Sequence, residues 1–271
     1  MTVFRTDQDQ LKAQSASDYF FGSSDRVHFF TEPGATEEDG SLKEGIPKER
    51  GLNKVGHGLH KDQGVFEAYS TSERLCSLVR SLGWVDPVLP QSMYIFKQPM
   101  IGGEVTAHQD STFLYTTPRQ TCLGLWLALH PATLENGCLW VRPGSHREGV
   151  RRVFARKERF LGKGSLNGEM TFETLEAQPD HTWEGMLPEG SLPPPSEGLF
   201  EAGFLPVEVE QGDLVLFPGQ LDHLSLPNYS DQPRHTFQLH LVEGPSQGVQ
   251  WSPRNWLQYP DAAAFPKVEA A

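Results

Sequence analysis

The nine residues Cys122–His130, Cys-Leu-Gly-Leu-Trp-Leu-Ala-Leu-His, alternate strictly between leucine and other residue types. One set of alternate positions holds only leucine, at Leu123, Leu125, Leu127 and Leu129. Because successive side chains of a β-strand point to opposite faces, this pattern predicts a strand with one all-leucine face and one mixed face. Such a strand lies between a hydrophobic core and a more polar environment.

Further β-prone segments lie on both sides of this strand. The dipeptides Asn136-Gly137 and Pro143-Gly144 are turn signals at the two ends of one of them, residues 138–142. The other predicted strands are 91–97, 138–142, 205–209, 213–217 and 234–242. Many short strands without a βαβ rhythm predict a β-sandwich or an open barrel.

A helical buttress and a long excursion complete the predicted organisation. Apolar residues recur at near-helical spacing over 65–83, and Gly83 stands where a C-terminal cap belongs. Residues 151–159 are basic and helix-prone, which predicts a solvated helix. The remainder of the segment 150–203 is rich in glycine, proline and acidic residues, which indicates a lid-like excursion. We therefore expect residues 1–271 to form a single domain.

The composition excludes several classes of partner. With 23 basic and 35 acidic residues the formal net charge is −12, so the surface repels phosphate backbones and anionic lipids. No apolar run approaches the roughly 20 residues of a membrane span. The three cysteines lack metal-knuckle spacing, which favours buried free thiols in a reducing compartment. We expect a soluble, cytoplasmic protein, monomeric, with no nucleic-acid or membrane partner.

The triplet His108-Gln109-Asp110 carries the first chemical signal. In an extended chain the imidazole and the carboxylate point to the same side, which offers two ligands for a metal ion. His223 follows the predicted strand 213–217 and is the candidate third ligand. Two histidines and one carboxylate leave coordination positions open, as in non-haem Fe(II) oxygenases and unlike closed structural zinc sites.

Arg234 is the candidate partner for an anion beside that centre. It opens a strand 11 residues after His223, on the same face as Gln238 and His240. The turn-rich segment 227–231 predicts a hairpin that returns Arg234 to the level of His223. A guanidinium binds carboxylates with two parallel hydrogen bonds, which suits a 2-oxo acid bound to the metal.

In chain order, five motifs together resemble the phytanoyl-CoA dioxygenase (PhyH) family over roughly residues 15–258. They are His108-x-Asp110, Glu135-Asn136-Gly137-Cys138-Leu139, Pro143-Gly144-Ser145-His146, His223-x-Ser225 and Arg234. The resemblance implies a mainly β, double-stranded β-helix fold (a cupin-like jelly-roll) with flanking helices. It also implies Fe(II), 2-oxoglutarate as cosubstrate, dioxygen, and hydroxylation of a C–H bond in a small-molecule substrate with release of succinate and carbon dioxide.

The same resemblance assigns roles to individual residues. The implied iron ligands are His108, Asp110 and His223. The implied cosubstrate residues are Arg234 and Ser225 at the distal carboxylate, Met93 and Trp126 packed beside it, and Arg50 aligned with a lysine of the family. The family's N-terminal strand-and-helix segment is expected to be absent from this chain. The excursion at 150–203 is expected to cover the mouth of the site.

Two other functions remain open at this point. A cupin-like isomerase or hydrolase could use the same three ligands with zinc or manganese, although Arg234 and Ser225 would then have no carboxylate to bind. A catalytically silent sensor of 2-oxoglutarate or metal would keep the ligands without turnover. His57 and His60 could line the site, although packing or surface roles are favoured for both, and His146 is interpreted as a structural, hydrogen-bonded histidine rather than a ligand.

Overall fold

The computed structural model describes residues 1–5, 14, 17–62, 64–161, 168–175 and 197–269. As expected, these residues form mainly β-structure, in two facing sheets flanked by short helices. In chain order the strands are β1 (Thr2–Val3), β2 (Val27–Thr31), β3 (Leu52–His57), β4 (Pro87–Lys97), β5 (Val105–His108), β6 (Thr116–Thr117), β7 (Leu123–Ala128), β8 (Leu139–Val141), β9 (Arg152–Arg156), β10 (Met170–Thr174), β11 (Leu205–Val207), β12 (Leu214–Pro218), β13 (His223–Ser225), β14 (Arg234–Glu243) and β15 (Gln250–Trp251).

The two main sheets have the arrangement of a double-stranded β-helix. The larger sheet runs in the order β1-β2-β3-β4-β14-β7-β12, and the smaller in the order β11-β8-β13-β5. Two further pairs, β9 with β10 and β6 with β15, lie outside the main sheets. The helices are α1 (Asp18–Phe21), α2 (Leu59–Asp62), α3 (Val65–Ser70), α4 (Glu73–Ser81) and α5 (Glu197–Glu201).

Strand β7 confirms the alternation of Cys122–His130. Leu123 and Leu125 belong to a core cluster with Leu75 and Val79 of α4, so the leucine face packs against the helices. On the opposite face, Trp126 packs in a second cluster with residues of the smaller sheet, including Trp140 and Leu224. The predicted core therefore lies on the leucine side, and the mixed face points into the space between the sheets.

The helix predicted over 65–83 is divided into α3 and α4. Ser72 separates them because its hydroxyl caps α4, accepting a hydrogen bond from the Leu75 backbone N–H at 3.4 Å. The predicted end is confirmed, since Gly83 follows the last residues of α4 with a positive φ of 95°. That conformation favours glycine, because other residues meet a steric penalty there.

The helix predicted at 151–159 is wrong, because this segment forms β9, followed by a single 3₁₀ turn over Glu158–Phe160. Phe154 is buried and its ring lies 4.9 Å from that of Phe172 on β10. Arg156 is not solvated either, since it is buried and its Nη2 donates to the Trp256 carbonyl at 2.7 Å. Pairing with β10 and burial of the four consecutive residues Val153–Arg156 thus override local helix propensity. Residues 162–167 and 176–196 of the excursion lie outside the described residues.

The predicted hairpin between His223 and Arg234 is also wrong. His223 lies on β13 in the smaller sheet, whereas Arg234 lies on β14 in the larger one. The connecting loop is braced by Asn228, whose Nδ2 donates to the Lys97 carbonyl at 2.9 Å. The chain therefore crosses between the sheets, and the two residues project from opposite walls of the same interior.

Two expectations about the rest of the chain can be compared with the structure. Cys76, Cys122 and Cys138 are buried and free, as predicted. Within the described ranges, no helix has the length and apolar character needed to cross a bilayer.

Truncating the leucine face should test the core directly. Leu125 is buried, with 2% exposure, so we expect Leu125→Ala to lower the free energy of unfolding by about 2–5 kcal/mol. Urea denaturation followed by tryptophan fluorescence measures this change. The matched control is Leu134→Ala, because Leu134 is 46% exposed and its truncation should change stability little. Equal effects of the two substitutions would contradict the proposed core.

Candidate functional site

The predicted metal ligands converge in the interior. Pairing of β5 with β13 sets His108 directly opposite His223, and Asp110 begins the 3₁₀ turn that follows β5. Asp110 Oδ1 lies 3.6 Å from His108 Nε2 and 3.7 Å from His223 Nε2. One donor atom from each of the three residues lies within 4.8 Å of the others. This spacing allows a single metal ion to contact all three.

Backbone hydrogen bonds fix which nitrogen each histidine offers. His108 Nδ1 lies 2.8 Å from the Thr106 carbonyl, and His223 Nδ1 lies 3.0 Å from the Leu221 carbonyl. A carbonyl oxygen only accepts, so both Nδ1 atoms carry the proton. In the neutral imidazole the lone pair is then on Nε2, and the Nε2 atoms of both rings face Asp110 Oδ1, which is the form that binds a metal.

The charge states also suit metal ligation. Burial would by itself raise the pKa of Asp110, but the neighbouring His240 and His223 hold that pKa well below its usual range. Asp110 is therefore ionised. Burial lowers the pKa of His223 to about 4, which keeps its imidazole neutral near pH 7. An anionic carboxylate and neutral imidazoles are the ligands that a divalent transition metal prefers.

An open cavity of about 1170 Å³, its mouth included, contains the three ligands. Its wall also includes Arg234, Ser225, Trp126 and Met93, four of the five residues that the sequence assigned to a cosubstrate. The structure thus brings together seven of the eight predicted site residues.

Arg234 is a buried cation whose polar partners within the described residues are neutral. Its Nη2 donates to Ser225 Oγ and its Nη1 to Thr236 Oγ1, both at 3.3 Å. Among the described residues, its Nε and the indole Nε1 of Trp126 are buried and have no hydrogen-bond partner. The guanidinium carbon lies 5.3 Å from the centre of the Trp126 ring. A buried charge and unused donors are costly unless an anion satisfies them, so this end of the cavity fits a carboxylate.

Arg50 is the predicted site residue that the structure leaves outside the cavity. Its side chain is exposed, and its Nη2 lies 3.4 Å from the Pro99 carbonyl. Lys54 lies in the cavity wall instead, with Nζ 3.7 Å from Met93 Sδ. Burial lowers the pKa of Lys54 to about 7, despite the opposing effect of Glu32. Lys54 is one of four buried residues among the six of β3, and this burial became visible only in the structure.

Of four histidines outside the triad, His57 and His240 line the cavity, whereas His60 and His146 do not. His57 lines the cavity, with Nδ1 2.8 Å from Ser23 Oγ and its ring 4.8 Å from that of Trp256. His60 is buried and hydrogen-bonded to Ser92 and Tyr259, as its interpretation as a packing residue requires. His146 does not line the cavity. Sequence reasoning gave no role to His240, although it lies 3.1 Å from Asp110 Oδ2.

One wall of the cavity is aromatic. Phe113, Phe154 and Trp256 line it together with Arg152, whose guanidinium lies 4.2 Å from the centre of the Phe172 ring. Phe154 and Arg152 belong to β9, so the start of the excursion contributes directly to the cavity. The expectation that the excursion covers the mouth of the site stays a prediction.

Known structures share this fold. The iron-bound crystal structure of EctD from S. alaskensis superposes with a TM-score of 0.55, over 88% of this chain and 73% of that one, at 21% identity. The non-heme alpha ketoglutarate dependent epimerase SnoN from nogalamycin biosynthesis has a TM-score of 0.53, with 93% of each chain covered, at 14% identity. At these identities the likeness concerns the fold.

Sequence comparison identifies the family. Phytanoyl-CoA dioxygenase domain-containing protein 1 of Mus musculus is 42% identical over 268 residues, which are 98% of this chain and 82% of that protein. Phytanoyl-CoA dioxygenase 1 of Oryza sativa subsp. japonica is 43% identical over 257 residues, 94% of this chain and 78% of that protein. The family model for phytanoyl-CoA dioxygenase (PhyH) matches residues 7–236. With the metal ligands and the cavity in place, this chain belongs to the phytanoyl-CoA dioxygenase (PhyH) family of non-haem iron- and 2-oxoglutarate-dependent oxygenases.

Proposed function

We propose that this protein is an Fe(II)- and 2-oxoglutarate-dependent dioxygenase that hydroxylates a C–H bond of a small molecule and releases succinate and carbon dioxide. One observation carries the proposal. The triad His108, Asp110 and His223 shares a cavity with a buried guanidinium, Arg234, that has no carboxylate partner among the described residues. A metal centre and an anion site in one cavity are what a chelating 2-oxo acid requires.

His108, Asp110 and His223 would hold the iron, through the two Nε2 atoms and Asp110 Oδ1. A ferrous ion held there supplies the chemistry that activates dioxygen. The chain's own contribution is to fix the ligands, since the carbonyls of Thr106 and Leu221 orient both imidazoles before any metal binds.

Arg234 would bind the distal carboxylate of 2-oxoglutarate, assisted by the Ser225 hydroxyl that its Nη2 already contacts. Trp126 and Met93 would pack against the carbon chain, because both are buried in the cavity wall. We propose Lys54 as the additional cosubstrate cation in place of Arg50, on the ground of its position beside Met93.

The aromatic wall would exclude water and receive the substrate. Phe113, Phe154 and Trp256 offer apolar surface, and Arg152 adds a cation at the edge. Residues of the excursion would then influence which substrate binds. We further propose that the protein acts as a cytoplasmic monomer in a single domain.

Turnover of 2-oxoglutarate tests the enzymatic proposal. Purified without oxygen and loaded with Fe(II), the wild-type protein should convert 2-oxoglutarate to succinate once oxygen is admitted, even without its substrate. Succinate measured by mass spectrometry is the readout, and His108→Ala is the negative control. Absence of succinate above that control would favour the sensor, or an isomerase or hydrolase that uses zinc or manganese.

Metal binding tests the triad separately from turnover. We expect His223→Ala to weaken Mn(II) binding at least about 100-fold, because one of three protein ligands is lost. Electron paramagnetic resonance of free Mn(II) measures the dissociation constant without any reaction. His146→Ala is the matched control, since His146 lies outside the cavity and its removal should leave binding unchanged. Equal affinities of the two variants would contradict the assignment.

Arg234→Ala should weaken 2-oxoglutarate binding about 100-fold and leave Mn(II) binding intact. The reason is that removal of one partner from a buried charge pair costs about 2–5 kcal/mol, and about 2.7 kcal/mol corresponds to 100-fold. Calorimetric titration of the Mn(II)-loaded protein gives the dissociation constant. Arg147→Ala, at an exposed arginine, is the control. Loss of Mn(II) affinity in Arg234→Ala would show that Arg234 is structural instead.

A further inference from the structure

The two carboxylate oxygens of Asp110 have different surroundings. Oδ1 faces the imidazoles of the two other metal ligands, at 3.6 and 3.7 Å. Oδ2 faces away from them and lies 3.1 Å from His240 Nε2. Only Oδ1 is thus directed to the point where the three ligand atoms meet.

The direction of each hydrogen bond follows from the chemistry of the groups. A carboxylate oxygen accepts, so His240 Nε2 donates to Asp110 Oδ2. The amide nitrogen of Gln91 donates, so His240 Nδ1, 3.1 Å from Gln91 Nε2, accepts. Gln91, His240 and Asp110 are all buried, so these bonds are largely shielded from bulk water.

The sheet itself builds this chain of hydrogen bonds. In the register of β4 and β14, Gln91 lies directly opposite His240. Gln91 makes its one side-chain hydrogen bond within the described residues to His240, and its Oε1 has no partner. A buried glutamine whose Oε1 has no hydrogen-bond partner lowers the stability of the fold. We therefore infer that Gln91 is kept for its hydrogen bond to His240.

A glycine leaves room for the carboxylate on the neighbouring strand. Gly124 on β7 lies opposite His240, and a Cβ atom there would come within 3.3 Å of Asp110 Oδ2 and 2.9 Å of the Phe217 ring. A larger residue would therefore press on the oxygen that His240 holds.

We propose that His240 is a positioning residue that holds Asp110 Oδ2, so that the carboxylate offers the metal Oδ1 alone, with Gln91 fixing the orientation of the His240 ring. This inference rests on the metal centre of the proposed function. Rotation of a carboxylate about its terminal torsion is easy, and a carboxylate can bind a metal through one oxygen or two. Without the bond from His240, Oδ2 is free to turn toward the metal and occupy a position that the cosubstrate needs.

Two variants at His240 and one control test the proposal. His240→Leu removes the donor, whereas His240→Gln keeps an N–H near the position of Nε2. The control is His235→Leu, because His235 lies on the same strand but faces Tyr94 instead of the cavity. The two readouts are Mn(II) affinity by electron paramagnetic resonance and 2-oxoglutarate affinity of the Mn(II)-loaded protein by calorimetry.

We expect His240→Leu to weaken Mn(II) binding about 10–100-fold, the usual effect of losing a hydrogen-bond partner of a metal ligand. It should also weaken 2-oxoglutarate binding at saturating Mn(II), because a second carboxylate oxygen then competes for the metal. His240→Gln should restore most of both affinities, and His235→Leu should retain both.

Wild-type affinities in His240→Leu, or losses in His240→Gln as large as those in His240→Leu, would overturn the proposal. If His240→Leu does not fold, Gln91→Met replaces it as the test, with smaller losses in the same direction expected and unchanged affinities overturning the proposal. A wild-type protein that fails to bind Mn(II) would overturn the metal centre itself, which separates that failure from one confined to His240.

Discussion

The interior of this protein depends on one buried carboxylate, that of Asp110. An ionised group at 7% exposure is expensive unless neighbouring groups stabilise it. His240 supplies a hydrogen bond to one oxygen, and the imidazoles of His108 and His223 face the other. In the neutral form, neither His108 nor His223 donates an N–H to that oxygen, Oδ1, because the proton of each ring is on Nδ1. The arrangement is therefore most stable when a cation joins the three ligand atoms.

Arg234 is a second buried charge in the same cavity. Its guanidinium is buried, with 2% exposure, and is held by two hydroxyl groups instead of a carboxylate. The residues for a cation and for an anion therefore come from different sheets. His223 lies on β13 of the smaller sheet, and Arg234 lies on β14 of the larger sheet. A ligand with a chelating end and a carboxylate end satisfies both at once, which explains why a 2-oxo acid suits this cavity better than the substrate of a hydrolase.

Residues next to the candidate metal ligands connect the ligand-bearing strands to the start of the excursion. Gln109, between two ligands, donates from Nε2 to the carbonyls of Gly149 and Gln220, at 2.8 and 2.7 Å. Asp222, which precedes His223, forms ion pairs with Arg142 and Arg151. Because Arg151 immediately precedes β9, the segment that starts the aromatic wall is anchored to the ligand-bearing strands. These contacts therefore fix the position of the aromatic wall relative to His108, Asp110 and His223.

Local pattern alone determined a large part of this protein. The alternation in Cys122–His130 predicted both faces of β7, because side-chain direction in a strand follows from backbone geometry. His108 and Asp110 are two residues apart, so their convergence was also a local matter. The motifs in chain order indicated His223, Ser225 and Arg234 as partners, although the hairpin predicted from the spacing of His223 and Arg234 is wrong.

Tertiary structure decided the rest. It set His223 and Arg234 on different sheets, made residues 152–156 a strand instead of a helix, and left Arg50 outside a cavity that contains Lys54. It also brought His240 and Gln91 to Asp110 through the register of β4 and β14. These outcomes depend on pairing between residues distant in sequence and on the burial that pairing creates. Neither is encoded in the periodicity of a single segment, so the sequence determined the kinds of groups at the site and the fold determined which of them act together.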